Sequence, residues 1–167
     1  MKITLSSMSF FARPKNYGVI DNYISRSAQP QKEDFLWLKE NGVTDIINFR
    51  TMVAPETDFS EESVVKDLGM NYHNIPSETG NPKDVNVIRF LETVNQIKEK
   101  NGKAHIHCKA GADRTGMYAF IYKMLNGIGN LAENKAEWLN FGHHFKFYPN
   151  LMDWADSYVK KTLAKKV

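Results

Sequence analysis

The stretch Lys103-Ala104-His105-Ile106-His107-Cys108-Lys109-Ala110-Gly111-Ala112-Asp113-Arg114-Thr115-Gly116-Met117-Tyr118-Ala119-Phe120-Ile121-Tyr122 carries three elements in succession. Lys103 to Cys108 alternates apolar and polar residues and reads as a strand. Lys109 to Arg114 is short, with a glycine at its centre. Thr115 to Asn126 is an apolar run long enough for a helix. A strand running through a tight loop into a helix N-terminus aims a row of backbone N–H groups at one small volume, which suits a tetrahedral anion.

The side chains in the loop add chemistry to that cradle. Cys108 is the only cysteine of the chain, and Arg114 follows it after five residues. A helix N-terminus and nearby cations favour an anionic sulfur, the nucleophilic form of the residue. The planar guanidinium of Arg114 matches two phosphoryl oxygens at once, which an ammonium cannot do. Gly111 lets the backbone turn and approach an oxyanion without a Cβ in the way. Thr115 is placed to donate its hydroxyl to the sulfur. Lys109, Ala110, Gly111, Ala112, Asp113, Arg114 and Thr115 are therefore the expected phosphate-binding residues, with Cys108 as nucleophile.

At these residues the chain resembles a known superfamily. His-Cys, five residues and Arg-Thr-Gly (107–116) is similar to the signature of the cysteine-dependent protein tyrosine phosphatases. The resemblance is to the atypical dual-specificity branch with its phosphoinositide and phytase-like inositol polyphosphate members. Ser25-Arg26-Ser27-Ala28-Gln29-Pro30 and Val43 to Arg50 resemble the N-terminal half of small members, so the likeness spans about residues 17–145. It implies hydrolysis of a phosphomonoester through a cysteinyl-phosphate, without metal or cofactor, on a phosphorylated small molecule or phosphoprotein. Lys109 leans the expectation toward inositol polyphosphates or phosphoinositides. Ala112, where lipid phosphatases carry a lysine, weighs against it.

The resemblance also exposes a departure. The family protonates its leaving group with an Asp about thirty residues before the cysteine. Here that region reads Pro76-Ser77-Glu78-Thr79-Gly80-Asn81-Pro82-Lys83-Asp84. Some relatives with Asp-Arg in the loop are thought to use that Asp, so Asp113 ranks first as the acid, Glu78 second and Asp84 third. The missing loop Asp also raises a catalytically inactive, phosphoanion-binding module as the alternative function.

Other readings of the loop fare worse. A nucleotide-binding Walker loop needs Gly-Lys-Ser/Thr, and Gly116 is followed by Met117. A dithiol oxidoreductase needs a second cysteine. A metal site on His105, His107 and Cys108 has alternate strand residues on one face but no further ligand cluster at zinc spacing. His107 is expected to orient the loop by a hydrogen bond, and Arg26 and Arg50 either rim the pocket or form ion pairs. His143-His144 reads as a surface pair, or as a contact to a second phosphate. Trp37, Trp138 and Trp154 read as core.

With 167 residues, 42% hydrophobic and 25% charged, the composition is that of a single globular domain, residues 1–167. Twenty-two basic against 19 acidic residues leave a net charge of only +3, too small to argue for nucleic acid. One cysteine forms no intramolecular disulfide, and no apolar run approaches membrane-span length. A cytoplasmic protein without integral membrane contact is expected; Ile3 to Ala12 makes a poor leader, and a leader removed ahead of residue 1 would leave no trace. The basic C-terminus from Lys160 to Lys166 complements a helix dipole.

Outward from the loop, strands and helices alternate. Val19 to Ser25 reads as one extended segment, and Pro30 to Asn41 as a helix with Pro30 at its first position. Val43 to Arg50 is a buried strand, Phe59 to Leu68 a helix, Asn71 to Ile75 a strand, and Pro82 to Lys100 a long helix. Asn130 and Glu133 form a capping box. Asn150 to Ala164 closes the chain as an amphipathic helix with Leu151, Trp154, Tyr158 and Val159 inward. This alternation predicts an α/β fold with a mainly parallel central sheet and helices on both faces. The loop then lies at the carboxyl end of the central strand.

Overall fold

The computed structural model describes residues 12–51 and 57–166. Five strands form one sheet: β1 (Gly18–Val19), β2 (Ile24–Ser27), β3 (Asp45–Asn48), β4 (Asn71–Asn74) and β5 (Ala104–His107), in the order β1-β2-β5-β3-β4. Only β1 runs antiparallel to its neighbour. The six described helices are α1 (Lys32–Glu40), α2 (Glu61–Asp67), α3 (Asp84–Glu99), α4 (Asp113–Leu125), α5 (Leu131–Asn140) and α6 (Leu151–Ala164).

Successive strand residues point to opposite faces, and β3 shows what that does here. Ile46 packs with Phe35 and Leu38 of α1 and Val65 of α2. Its neighbour Ile47 packs with Val87 and Phe90 of α3, Tyr118 of α4 and Val159 of α6. Two apolar clusters on two faces give the expected α/β sandwich. Phe49, Phe90 and Tyr118 form an aromatic cluster in the larger one, with Phe49 and Tyr118 stacked at 3.9 Å between ring centroids.

β5 sits between β2 and β3, although the chain visits both of those first. Its register pairs His107 with Ser27 on one side and Asn48 on the other. Residue 108 therefore leaves the sheet at the carboxyl end of the central strand, where open α/β sheets place ligands.

Several sequence-based expectations shift in detail. The single extended segment at 19–25 is two strands of a hairpin, turned where the Asp21 carboxylate accepts from the amides of Tyr23 and Ile24. Pro30 precedes the N-cap of α1, which is Gln31, because the carboxylate of Asp34 closes a capping box on the Gln31 amide. Helix α4 starts at Asp113 rather than Thr115, so Asp113 and Arg114 lie in its first turn. The box at Asn130 and Glu133 forms as read, with both hydrogen bonds at 3.0 Å. In α6, Leu151, Tyr158 and Val159 are buried, and Trp154 is half-buried. Among the described residues no helix is long and apolar enough to cross a membrane.

Candidate active site

In the loop after β5, the carbonyls of Lys109 to Ala112 are each held from behind by a donor that is remote in sequence. The Lys109 carbonyl accepts from the Gln29 amide at 3.0 Å. That of Ala110 accepts from Asn16 Nδ2 at 3.0 Å, and that of Gly111 from Arg26 Nη2 at 2.9 Å. The Ala112 carbonyl accepts from Trp138 Nε1 and from the Gly116 amide, both at 3.1 Å. With the carbonyls turned outward, the intervening amides face the other way. Among the described residues, the amides of Lys109 to Arg114 donate to no protein acceptor. Donors of this kind at a helix N-terminus suit an anion.

Gly111 makes the turn possible. Its φ is +69°, and a Cβ there would stand 2.5 Å from Ser27 O and from Ala28 N. Gly116 serves the same loop differently: a Cβ would stand 2.2 Å from the indole of Trp138, the ring that holds the Ala112 carbonyl.

Cys108 and Arg114 both line a cleft of about 300 Å³ at this loop. Cys108 is only 2% exposed. Arg114 Nη1 donates to the carbonyls of Phe49 and Ser77 at 3.4 and 3.3 Å, which fixes the guanidinium over the cleft. Ser77 is itself held by the Tyr118 hydroxyl at 2.6 Å. Lys109, Asp113 and His144 also border the cleft, and Thr79, Phe147 and Tyr148 form its outer rim. Phe147 is 77% exposed.

The remaining predicted residues are placed as follows. Thr115 is buried and its hydroxyl makes no hydrogen bond, so the expected donation to the sulfur is not made. Glu78 is exposed and borders no part of the cleft; its neighbour Thr79 does. Asp84 opens α3 and pairs with Lys161 at 3.2 Å, also outside the cleft. Asp113 borders the cleft, but its carboxylate accepts three hydrogen bonds. Oδ1 takes His143 Nδ1 at 2.7 Å and the His144 amide at 2.8 Å, and Oδ2 takes His144 Nδ1 at 2.8 Å.

The strand histidines are fully engaged. His107 donates from Nδ1 to the Cys108 carbonyl at 3.1 Å and from Nε2 to Glu61 at 2.6 Å. Burial alone would raise Glu61, but His107, Gln29 and Arg50 outweigh it and hold the carboxyl below its usual range. His105 lies between Ser25 at 2.8 Å and Ser27 at 2.7 Å. The Ser27 hydroxyl donates to the Ala28 carbonyl, so it accepts from His105 Nε2, and Nδ1 accepts from Ser25. Burial and the neighbouring His107 push His105 well below the usual imidazole range. The metal reading of His105, His107 and Cys108 thus finds every ring nitrogen already committed.

Arg26 supports the loop from beneath and does not rim the cleft. It is buried over the ring of Phe141, 3.8 Å from its centroid, with Glu137 at 3.6 Å. Burial lowers the guanidinium to about 10, against the pull of Glu137 and Cys108, which leaves it charged at neutral pH. Arg50 Nη1 donates to Gln29 Oε1 at 3.1 Å. The sequence reading missed the supporting roles of Asn16, Arg26 and Trp138, and the union of His143-His144 with Asp113. Only the last had a visible sign, two adjacent histidines without an assigned partner.

Residues 17–143 match the family model described as DSP-PTPase phosphatase fused to NAD+ kinase. The chain belongs to this family. It is a phosphatase of the protein-tyrosine-phosphatase-like superfamily, as the signature implies. No curated protein sequence matches it. Among solved structures, this PTP-like phosphatase is similar to a DUF442-class phosphatase of Shewanella putrefaciens CN-32. That pair shares 23% identity and a TM-score of 0.76, over 95% of this chain and 98% of the other. The core catalytic domain of the PP-IP phosphatase Siw14 of S. cerevisiae, solved with citrate, gives 21% and 0.76 over 93% and 94%. TpbA of P. aeruginosa, solved as a Cys-to-Ser variant with phosphotyrosine, gives 21% and 0.65 over 86% and 82%. At these identities the likeness is one of fold.

Proposed function

We propose that the chain hydrolyses phosphomonoesters through a cysteinyl-phosphate formed on Cys108. The observation that carries this reading is that the amides of Lys109 to Arg114 donate to no described acceptor, in a loop whose Cys108 and Arg114 line one cleft. The equatorial phosphoryl oxygens lie in that cradle and on the Arg114 fork, where preorganised donors lower the energy of the trigonal-bipyramidal state. Cys108 Sγ attacks phosphorus opposite the leaving oxygen, and water then cleaves the P–S bond. Lys109, Ala110, Gly111, Ala112, Asp113 and Arg114 hold the phosphoryl group through their amides, with the buried Thr115 behind them. The proton for the leaving alcohol comes from the corner of the cleft that Asp113 occupies. No step calls for a metal or cofactor.

For the substrate we favour polyanionic small molecules, inositol polyphosphates or phosphoinositides, over phosphoproteins. Lys109 and Arg114 supply two cationic contacts on one cleft that His144 also lines, and the fold likeness to a PP-IP phosphatase points the same way. A second reading, an aryl phosphate such as phosphotyrosine, has the exposed Phe147 and the neighbouring Tyr148 on the rim in its favour. A panel of phytate, a phosphoinositide and a phosphotyrosine peptide separates them by kcat/KM. The mechanism is tested by Cys108→Ser with an aryl phosphate. Serine is near-isosteric but is no anion at neutral pH, so turnover is expected to vanish while vanadate or phosphate binding and the thermal midpoint persist. Turnover above about one percent of wild type, within the span that nucleophile loss normally exceeds, refutes Cys108 as the nucleophile.

A further inference from the structure

The three hydrogen bonds on Asp113 change the assignment of the acid. Both its oxygens already accept, two of the bonds coming from ring nitrogens and one from a backbone amide. A carboxylate used in this way serves as an anchor. What it anchors is the His143-His144 turn, and the two rings meet different fates. His143 is buried against Trp138 and Phe145, with no route to the cleft. His144 is about half exposed, borders the cleft together with Cys108 and Arg114, and spends Nδ1 on Asp113. Its Nε2 is the ring nitrogen left over, with no hydrogen bond to a described residue. The other two carboxylates considered for the role stand outside the cleft, Glu78 exposed and Asp84 on Lys161.

We propose that His144 is the general acid of this phosphatase and that Asp113 is its positioning residue. This rests on the cysteinyl-phosphate reading. In the first step the S–P bond forms as the P–O bond to the leaving group breaks, and the proton on His144 Nε2 passes to the departing oxygen, releasing an alcohol. In the second, neutral Nε2 takes a proton from the attacking water as the new P–O bond forms and the S–P bond breaks. That step releases inorganic phosphate and restores the Cys108 thiolate and the protonated His144. The groups around His144 are the Asp113 carboxylate, the aromatic ring of Phe147 and, lining the same cleft, Lys109, Arg114, Cys108 and Tyr148. Carboxylate-held imidazole is a well-tried proton donor because the carboxylate fixes the tautomer and the ring's direction.

The test compares leaving groups. In His144→Asn, kcat/KM for an alkyl phosphate, which reports the steps up to S–P bond formation, is expected to fall about 100-fold or more, within the range of general acid catalysis. For 4-nitrophenyl phosphate, whose leaving group departs without a proton, the fall should be under about fivefold, and the basic limb of the alkyl pH–rate profile should flatten. Asp113→Asn should show the same selectivity with a smaller loss. His144→Ala should regain alkyl phosphatase activity in added imidazole, which a merely structural role would not allow. An equal loss on both substrates, no loss on either, or no rescue by imidazole overturns the assignment. Failure of the underlying mechanism looks different: Cys108→Ser would then keep turnover on both substrates.

Discussion

Replacing Gly116 with alanine sets two known effects against each other. Gly116 lies in the first half of α4, where alanine is favoured over glycine by about 0.8–1.0 kcal/mol. On local grounds the substitution should stabilise the protein. The Cβ, however, would stand 2.2 Å from Cδ1 and Nε1 of Trp138, a side chain that is 1% exposed. Ordinary contact begins near 3.4 Å, so the indole must retreat by more than 1 Å into packed surroundings. Overpacking of that kind costs about 1–3 kcal/mol. The retreat also breaks the bond from Nε1 to the Ala112 carbonyl and leaves a buried N–H unpaired, about 1–3 kcal/mol more. The net expectation is a loss of about 1–5 kcal/mol, and 3 kcal/mol would lower the thermal midpoint by roughly 6–12 °C in a chain of this size. Activity should suffer beyond stability, because the Ala112 carbonyl sets the aim of the loop amides; a displacement near 1 Å at a reacting centre costs up to about 100-fold. Thermal unfolding and kcat on an aryl phosphate at 20 °C measure the two effects. Pairing Gly116→Ala with Trp138→Phe should recover part of the stability, because the smaller ring yields the space. A Gly116→Ala protein as stable and active as wild type would refute the claim that this glycine exists to admit Trp138.

Gly111→Ala should be more damaging to the cradle. Its positive φ costs an alanine about 1–2 kcal/mol, and the Cβ meets backbone atoms of Ser27 and Ala28 at 2.5 Å, which cannot rotate away. Loss of vanadate affinity by isothermal titration, in a protein that still folds, is the expected result; unchanged affinity would contradict the geometry. Acid should destabilise the fold through His105. Its folded-state pKa is depressed, so below about 6.5 the unfolded chain takes up a proton that the folded chain refuses. The contribution is complete above pH 6.5 and is lost as pH falls, approaching about 1.4 kcal/mol per unit until the folded imidazole titrates. Urea unfolding from pH 7.5 to 5.5 should show a steeper decline in wild type than in His105→Gln, and equal slopes would refute the assignment.

The nucleophile loop could be read from sequence because its determinants are local. A strand, a glycine able to take positive φ and a helix start within twenty residues constrain one another, and Cys108 and Arg114 come together as the spacing implies. The two-faced α/β sheet was legible for a similar reason: Ile46 and Ile47 are neighbours in sequence and must serve opposite faces. The hairpin at 18–27 was not, because its turn depends on one aspartate accepting two amides inside an otherwise extended stretch. The start of α4 at Asp113 was missed because the Asp-Arg pair reads as loop until the 143–144 turn is known to hold it. The acid was the hardest point. A carboxylate is expected from type and position, and the one sign in the sequence, the adjacent pair His143-His144, does not say that a turn thirty residues later brings both imidazoles to Asp113.

The same contrast explains why so short a signature is a specific one. Of its two glycines, Gly111 is forced by Ser27 and Ala28 at the end of β2, and Gly116 by Trp138 of α5. Neither constraint arises within the signature itself. The four carbonyl donors come from Asn16, Arg26, Gln29 and Trp138, so the loop amides point inward only when the N-terminal hairpin and α5 are docked. Chemistry and folding are thereby linked: a chain with the ten signature residues but without those contacts has no net preference for turning its carbonyls outward. Arg26 satisfies the buried Gly111 carbonyl, which has no other donor among the described residues, so the loss of that hydrogen bond costs more than its formation gains. Such a loop stays preorganised before substrate arrives, which is the condition for its amides to stabilise the transition state without reorganising.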